Sequence, residues 1–320
     1  MYEEFINAVD NSNTVCLISH QNPDGDTCGS ALALYRALKL YGKEKVYLYC
    51  DGVFRNSLLV LEGIDEYNKT QIDRCDLAIA CDCAESDRMG AYLNLFNKAR
   101  FRVDIDHHKT NSRYGNINII EPGVSATCEV MYKLIKAMDE KKPCLDDTVA
   151  KLLYSGLVTD SGGFTFSSVS NQTHEIASKL IKYNFSASEI CEHFLKSVSL
   201  NVFNLRMRVL SKAKFFEDGK IGMIYFSQED FIATDTAPED TEGAINYIRD
   251  IDTVEVAVAI TQTKQSNSYK VSIRTSDRVD SSRIAAVFGG GGHKNAAGCR
   301  VSGFFEDVKD KVLKACADEL

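Results

Sequence analysis

Thr14-Val-Cys-Leu-Ile-Ser-His-Gln-Asn-Pro-Asp-Gly-Asp-Thr-Cys-Gly-Ser-Ala-Leu-Ala-Leu-Tyr-Arg-Ala-Leu-Lys-Leu40, followed by Lys45-Val-Tyr-Leu-Tyr49, holds the pattern that decides the fold. The apolar run 14–19 reads as a strand, the acidic and glycine-bearing stretch after it as a loop, residues 30–40 as a helix and 45–49 as a second strand. That is a βαβ unit, which implies a parallel sheet. Two more strands follow at 76–80 and 101–105, each ending where an Asp or His cluster begins. Residues from about 126 to 200 read as helical, with amphipathic stretches at 128–138, 147–157, 174–183 and 187–195. The register then changes. Strands at 221–226, 254–260 and 270–274 and helices at 242–249, 282–288 and 305–318 describe a smaller α+β region. The expectation is an α/β domain over 1–190, a helical connector over 191–209 and an α+β domain over 210–320.

Length and composition agree with two domains. The 320 residues are 44% hydrophobic, which excludes a mostly disordered chain. A formal net charge of −8 argues against binding long nucleic acid through broad electrostatic attraction. The first residues lack a basic segment followed by an apolar one, and no stretch reaches the length of a membrane span, so the protein reads as soluble and cytoplasmic. Eleven cysteines without a CxxC pair read as reduced, buried, small apolar residues. Cys81 and Cys83 flank Asp82, and strand alternation points both away from it.

The chemistry sits at strand ends. His20, Asp24 and Asp26 follow the first strand, Asp82 the third, and Asp104-Ile-Asp106-His107-His108 the fourth, while Asp160 closes Leu157-Val-Thr-Asp160. Ligands of an open parallel sheet bind beyond the carboxyl ends of its strands, so the first three clusters converge on one crevice. A single aspartate there is ordinarily a turn or helix cap. So many carboxylates and imidazoles gathered without Lys or Arg, however, repel one another unless divalent cations intervene. Mixed Asp and His donors suit Mn²⁺, Mg²⁺ or similar ions, and a pair of such ions serves phosphoester hydrolysis. Pro23 is read as fixing the turn that aims Asp24, and Gly25 as letting Asp24 and Asp26 approach. Asp104 is read as facing the opposite side of the strand from Asp106, a supporting or surface group. His174 and His193 read as ordinary helix residues. The chain has no GxxxxGK[ST] loop, GxSxG elbow or GxGxxG after a strand, which favours activated water over a protein nucleophile.

In the second domain, Phe288 is followed by Gly289 to Gly292, His293, Lys294, Asn295, Ala296, Ala297 and Gly298. Consecutive glycines permit several N–H groups to face one anion. Residues 271–300 hold Arg274, Arg278, Arg283, Lys294 and Arg300 against Asp277 and Asp280, a local +3 in an acidic chain. This reads as a phosphate or nucleotide anchor.

His20-x-Asn-Pro-Asp24-x-Asp26-x-x-Gly29-Ser30, Asp82, Asp106-His107-His108 and Val158-Thr-Asp160-Ser-Gly resemble, in order, the four motifs of the DHH phosphoesterase superfamily. Gly-Gly-Gly-Gly-His293-x-x-Ala-Ala-Gly298 resembles the mark of its DHH-associated C-terminal domain. The resemblance covers nearly the whole chain. It implies two divalent ions, Mn²⁺ before Mg²⁺ or Co²⁺, one at His20, Asp24 and Asp82 and the other at Asp26, Asp82, His107 and Asp160, with Asp82 bridging. It further implies that His108 contacts the scissile phosphate beside the motif's Asp106, and that Arg274, Gly290, Gly291, Gly292 and His293 grip the substrate across an interdomain cleft. Stand-alone members of this length act as 3′–5′ exonucleases on very short oligoribonucleotides and as phosphatases on adenosine 3′,5′-bisphosphate. Hydrolysis of cyclic or linear signalling dinucleotides is the alternative. A homodimer is left open, and membranes and long nucleic acid are not expected as partners.

Overall fold

A computed structural model describes residues 2–241, 243–265 and 267–320, apart from the His293 side chain. The chain forms two compact units, divided between Ser197 and Val198. No helix among the described residues is long and apolar enough to cross a membrane.

The first unit is a five-stranded parallel sheet of β1 (Thr14–Ser19), β2 (Lys45–Cys50), β3 (Leu77–Cys81), β4 (Phe101–Asp106) and β5 (Ile117–Ile120), in the order β2-β1-β3-β4-β5. Its helices are α1 (Tyr2–Asp10), α2 (Gly25–Leu40), α3 (Leu93–Lys98), α4 (Thr127–Asp139), α5 (Asp147–Asp160), α6 (Asn171–Leu180) and α7 (Ala187–Leu195). The central strands are apolar without alternation because both faces are covered. Val15, Leu17, Ile79, Val103 and Ile105 join the core with α2, α4 and α5, while Cys16, Ile18, Ala78 and Ala80 pack with Met89 and Phe96 on the other side. Strand order reverses between β1 and β3, the place where open α/β sheets offer a crevice. His20 and Asp82 are the first residues beyond those two strands.

Several elements differ from expectation. The helix expected over 30–40 starts at Gly25, because Asp24 is its cap: Oδ1 accepts the N–H groups of Asp26 (3.1 Å) and Thr27 (3.0 Å). Gly25 is therefore helical, and its missing side chain makes room for Thr159 of α5. The same crossing needs Gly29, where a Cβ would stand 2.7 Å from the Leu152 carbonyl oxygen, and Gly156, where it would stand 3.0 Å from the Asp26 Cα. Asp104 does not face away from Asp106: residues i and i+2 of a strand share a face, and Asp104 is fully buried there. α1 and β5 were not anticipated.

The second unit is a six-stranded sheet in the order β10-β11-β9-β8-β7-β6. Its strands are β6 (Lys214–Phe216), β7 (Ile221–Phe226), β8 (Val256–Gln262), β9 (Ser268–Thr275), β10 (Gly291–His293) and β11 (Ala296–Ser302). β7 and β8 are parallel and the other neighbours antiparallel. One face packs on α8 (Leu200–Leu210), α9 (Gln228–Thr234) and α10 (Ala244–Arg249), and the other on α11 (Ser281–Ala286) and α12 (Phe305–Ala317). Glu242, at the start of an expected helix, lies outside the described residues. The glycine run is not one loop. Gly289, with φ +70°, caps α11, and the Gly289 and Gly290 N–H groups donate to the carbonyls of Ala286 (3.0 Å) and Ala285 (2.9 Å). Gly291 and Gly292 then enter edge strand β10, opposite Gly298 and Ala297.

Candidate metal centre

Asp82 is the hub. It follows β3 with φ +57°, a backbone conformation that aspartate tolerates better than most residues, and it is 3% exposed. Its carboxylate lies 3.7 Å from His20 Nε2, 3.9 Å from His107 Nε2 and 3.6 Å from His108 Nδ1. Two hydroxyls hold it: Thr27 Oγ1 donates to Oδ2 at 2.7 Å and Thr127 Oγ1 to Oδ1 at 2.8 Å. Burial works to raise the proton affinity of this carboxyl, but His108, His107 and His20 outweigh it and hold the group well below the usual carboxylate range.

The other candidates gather on either side of Asp82. Thr27 also links His20, 2.7 Å from its Nε2, to Asp24, 3.0 Å from its Oδ1. The His20 Nδ1 accepts the Asn22 N–H at 3.2 Å. Burial lowers the proton affinity of His20 more than Asp82 and Asp24 raise it, which favours the neutral imidazole that a metal needs. Asp26 takes the place of a side-chain cap on α4. Its oxygens accept the N–H groups of Thr127 (2.6 Å) and Cys128 (2.9 Å), so the positive end of that helix faces the carboxylate.

His107 Nε2 stands 3.4 Å from Asp160, and its Nδ1 lies 3.1 Å from the Val124 carbonyl, an arrangement that fixes the tautomer with Nδ1 protonated. Burial opposes a charge on His107, yet Asp82, Asp26 and Asp160 push it up to about 9. Asp160 itself is pushed up to about 7, first by burial and then by the neighbouring carboxylates, against the pull of His107. Asp26 is raised as well, by burial and by Asp82 and Asp160.

Asp106 turns away from these groups and orients the histidines. It is fully buried; Oδ1 accepts His108 Nδ1–H at 2.7 Å and the His107 N–H at 2.8 Å, and Oδ2 accepts Asn111 Nδ2–H at 2.7 Å. Asn111 also reaches Asp104, at 3.3 Å. Burial disfavours a charged His108, but the bond to Asp106 and the field of Asp82 raise its proton affinity.

The structure thus brings His20, Asp24 and Asp82 into one group, Asp26, His107 and Asp160 into a second, and Asp82, His107 and His108 into a third, with candidate ligand atoms in each within 4.8 Å of one another. The donors suit a divalent cation. They are carboxylates and imidazoles; burial and then neighbouring carboxylates raise the proton affinities of Asp26 and Asp160, and the carboxylates raise that of His107 against its burial, as in a cluster short of positive charge. Sequence reasoning missed Thr27, Thr127, Asn111 and the Val124 carbonyl. It also missed a cation: Arg88, half-buried, is close enough to lower the proton affinity of His20, so the cluster is not free of arginine. The other expected site residues lie in the second unit. Arg274 on β9 is half-buried, its guanidinium donating to the Ile273 carbonyl at 3.0 Å. Gly290 spends its N–H on α11, and the His293 side chain lies outside the described residues. His174 stacks on Phe164 and His193 bonds the Ser57 carbonyl, both apart from these donor groups.

A parallel sheet with oxygen and imidazole donors at its carboxyl ends defines a class, the α/β proteins built to hold divalent cations against phosphate. The chain belongs to the DHH phosphoesterase superfamily: the DHH family, N-terminal domain, matches residues 14–157 and the DHHA1 domain matches 224–320. Members of this family are metal-dependent. The bifunctional oligoribonuclease and PAP phosphatase NrnA of Thermus thermophilus is 29% identical over 96% of this chain and 90% of its own length. The protein of the same name from Bacillus subtilis is 26% identical over 98% of this chain and 96% of its own. Among solved structures, an exopolyphosphatase-related protein from Bacteroides fragilis matches with a TM-score of 0.92 and 25% identity, covering 99% of this chain and 95% of the other.

Proposed function

We propose that this protein hydrolyses the phosphoester bonds of very short oligoribonucleotides, releasing mononucleotides, and removes the 3′-phosphate of adenosine 3′,5′-bisphosphate. The observation that carries the reading is Asp82, one carboxylate within reach of three imidazoles and shared between neighbouring donor groups. The names of the full-length relatives support the substrate class. His20, Asp24 and Asp82 would hold one ion, and Asp26, Asp82, His107 and Asp160 the other, with Mn²⁺ the favoured metal. Two such ions, when bound, supply positive charge to the phosphate and acidify a water.

The chain's own residues do the rest. Thr27, Thr127 and the α4 N-terminus fix the carboxylates before any ligand arrives, so little reorganisation is needed. Asp106 fixes the His108 ring with Nδ1 protonated, which leaves Nε2 as the atom that meets the scissile phosphate or its leaving oxygen. In the second unit, Arg274, the Gly291 and Gly292 backbone and His293 would be the groups that bind substrate, with Gly290 shaping the turn. Eleven free cysteines, ten of them buried, support a reducing, cytoplasmic setting.

Purified protein incubated with Mn²⁺ and either a labelled dinucleotide or the bisphosphonucleotide should release mononucleotide, and no release from either overturns the proposal. Initial rates on cyclic and linear dinucleotides discriminate a ring-opening phosphodiesterase, one form of the signalling alternative, from an enzyme that needs a free end and ignores the ring.

A further inference from the structure

We propose that Phe166 is the stacking platform for the nucleobase next to the scissile phosphate. The inference deepens the reading above and rests on it for the identity of the substrate. α5, which ends in Asp160, closes through a left-handed cap: the Gly162 N–H donates to the Thr159 carbonyl at 3.2 Å and the Gly163 N–H to that of Val158 at 2.8 Å. The backbone keeps positive φ through Gly162 (58°), Gly163 (67°) and Phe164 (67°). For a phenylalanine that conformation is a strained one, held here by the Phe164 N–H bond to Ser161 Oγ at 2.9 Å and the Thr165 N–H bond to the Ser161 carbonyl at 3.0 Å.

This turn gives two phenylalanines opposite fates. Phe164 goes inward, its ring 6.2 Å from Tyr154 and 5.4 Å from His174. Phe166 goes outward and is 56% exposed. Its ring is nevertheless located, because the tip rests against Gly162, where a Cβ would come within 2.5 Å of Cζ, and its N–H donates to the Ser161 carbonyl at 3.1 Å. A large exposed aromatic is thus fixed over the glycine two residues beyond Asp160. Ions held by carboxylates and imidazoles would bind phosphate and have no use for an apolar surface, whereas a nucleoside attached to that phosphate carries a base whose flat apolar face needs a partner. Stacking on one ring accepts any base, which suits the degradation of short RNA irrespective of sequence.

The readout is the preference for a base, the kcat/KM on a dinucleotide divided by that on the same dinucleotide with its terminal base removed. Phe166→Ala should reduce this ratio roughly 5- to 150-fold through KM, and Phe166→Trp should restore it. An unchanged ratio overturns the proposal, as does an equal loss on both substrates, which would mark a structural role. Quenching of a 2-aminopurine dinucleotide measured with Ca²⁺ in place of Mn²⁺ gives a second readout. If the native protein cleaves neither substrate, the hydrolytic reading fails; quenching that is lost in Phe166→Ala then still supports the platform, and quenching equal in both proteins, or absent from both, overturns it.

Discussion

The two sheets would meet a phosphate, on the reading proposed above, in opposite ways. At the carboxyl ends of the parallel sheet the chain buries Asp26, Asp82 and Asp106 at 0 to 3% exposure and relies on cations to make that crowd attractive to an anion. In the mixed sheet it offers a half-buried arginine and an edge strand of glycines inside a segment of local +3 charge. The first arrangement is costly without its ions, and raised proton affinities at Asp26 and Asp160 record that cost. The second would need no cofactor, since a guanidinium carries its positive charge permanently. The proposed function therefore assigns bond breaking to the first region and holding to the second.

Breaking the hub tests this division hardest. Asp82→Ala should lower kcat by roughly a thousandfold or more, because several kcal/mol of electrostatic stabilisation is lost at both ions at once; retained turnover with Mn²⁺ refutes the site. Thr27→Val keeps every ligand and removes the hydroxyl shared by His20, Asp24 and Asp82, so metal affinity measured by titration calorimetry should fall about 10- to 100-fold. On the holding side, Arg274→Ala should raise KM about tenfold with kcat little changed, the loss of one charge-assisted hydrogen bond. A fall in kcat alone would move Arg274 into the bond-breaking half.

The mildest test concerns pH. Burial pushes the Asp104 carboxyl up to about 7, so folding favours its protonated form, and its contribution to stability declines as pH rises from the ordinary carboxylate value to about 7. Asp104→Asn removes that dependence. Its melting temperature relative to the native protein should therefore increase between pH 5 and pH 8, by the equivalent of about 1 to 3 kcal/mol. A difference that stays flat with pH contradicts the assignment.

Much of this arrangement is legible in the amino-acid order. Apolar runs doubly covered by helices announce β1, β3 and β4, and the donors announce themselves by standing immediately beyond them. What escapes a linear reading is whatever depends on partners far along the chain. Thr27 reaches Asp82 across 55 residues, Thr127 reaches Asp82 across 45, and Asp26 meets the start of α4 across 101. No local pattern marks such pairs. Asp104 shows a different failure, a miscounted alternation; the glycine run shows a third, since two of its N–H groups close a helix and two residues enter a strand. β5 was missed because four residues of strand give little periodicity to detect.

The glycine-lined crossing of α2 and α5 sets an order of assembly. The group formed by His20, Asp24 and Asp82 can close once β1, α2 and β3 exist, whereas Asp26 and Asp160 are brought into register by contacts between residues 25–29 and 152–159, far apart in the unit's own sequence. Long-range contacts of this kind form late, after their loop-closure entropy has been met. The packing of α5 on α2 is therefore the step that completes the second donor group, and it comes after the first group has its three strand-end residues in place.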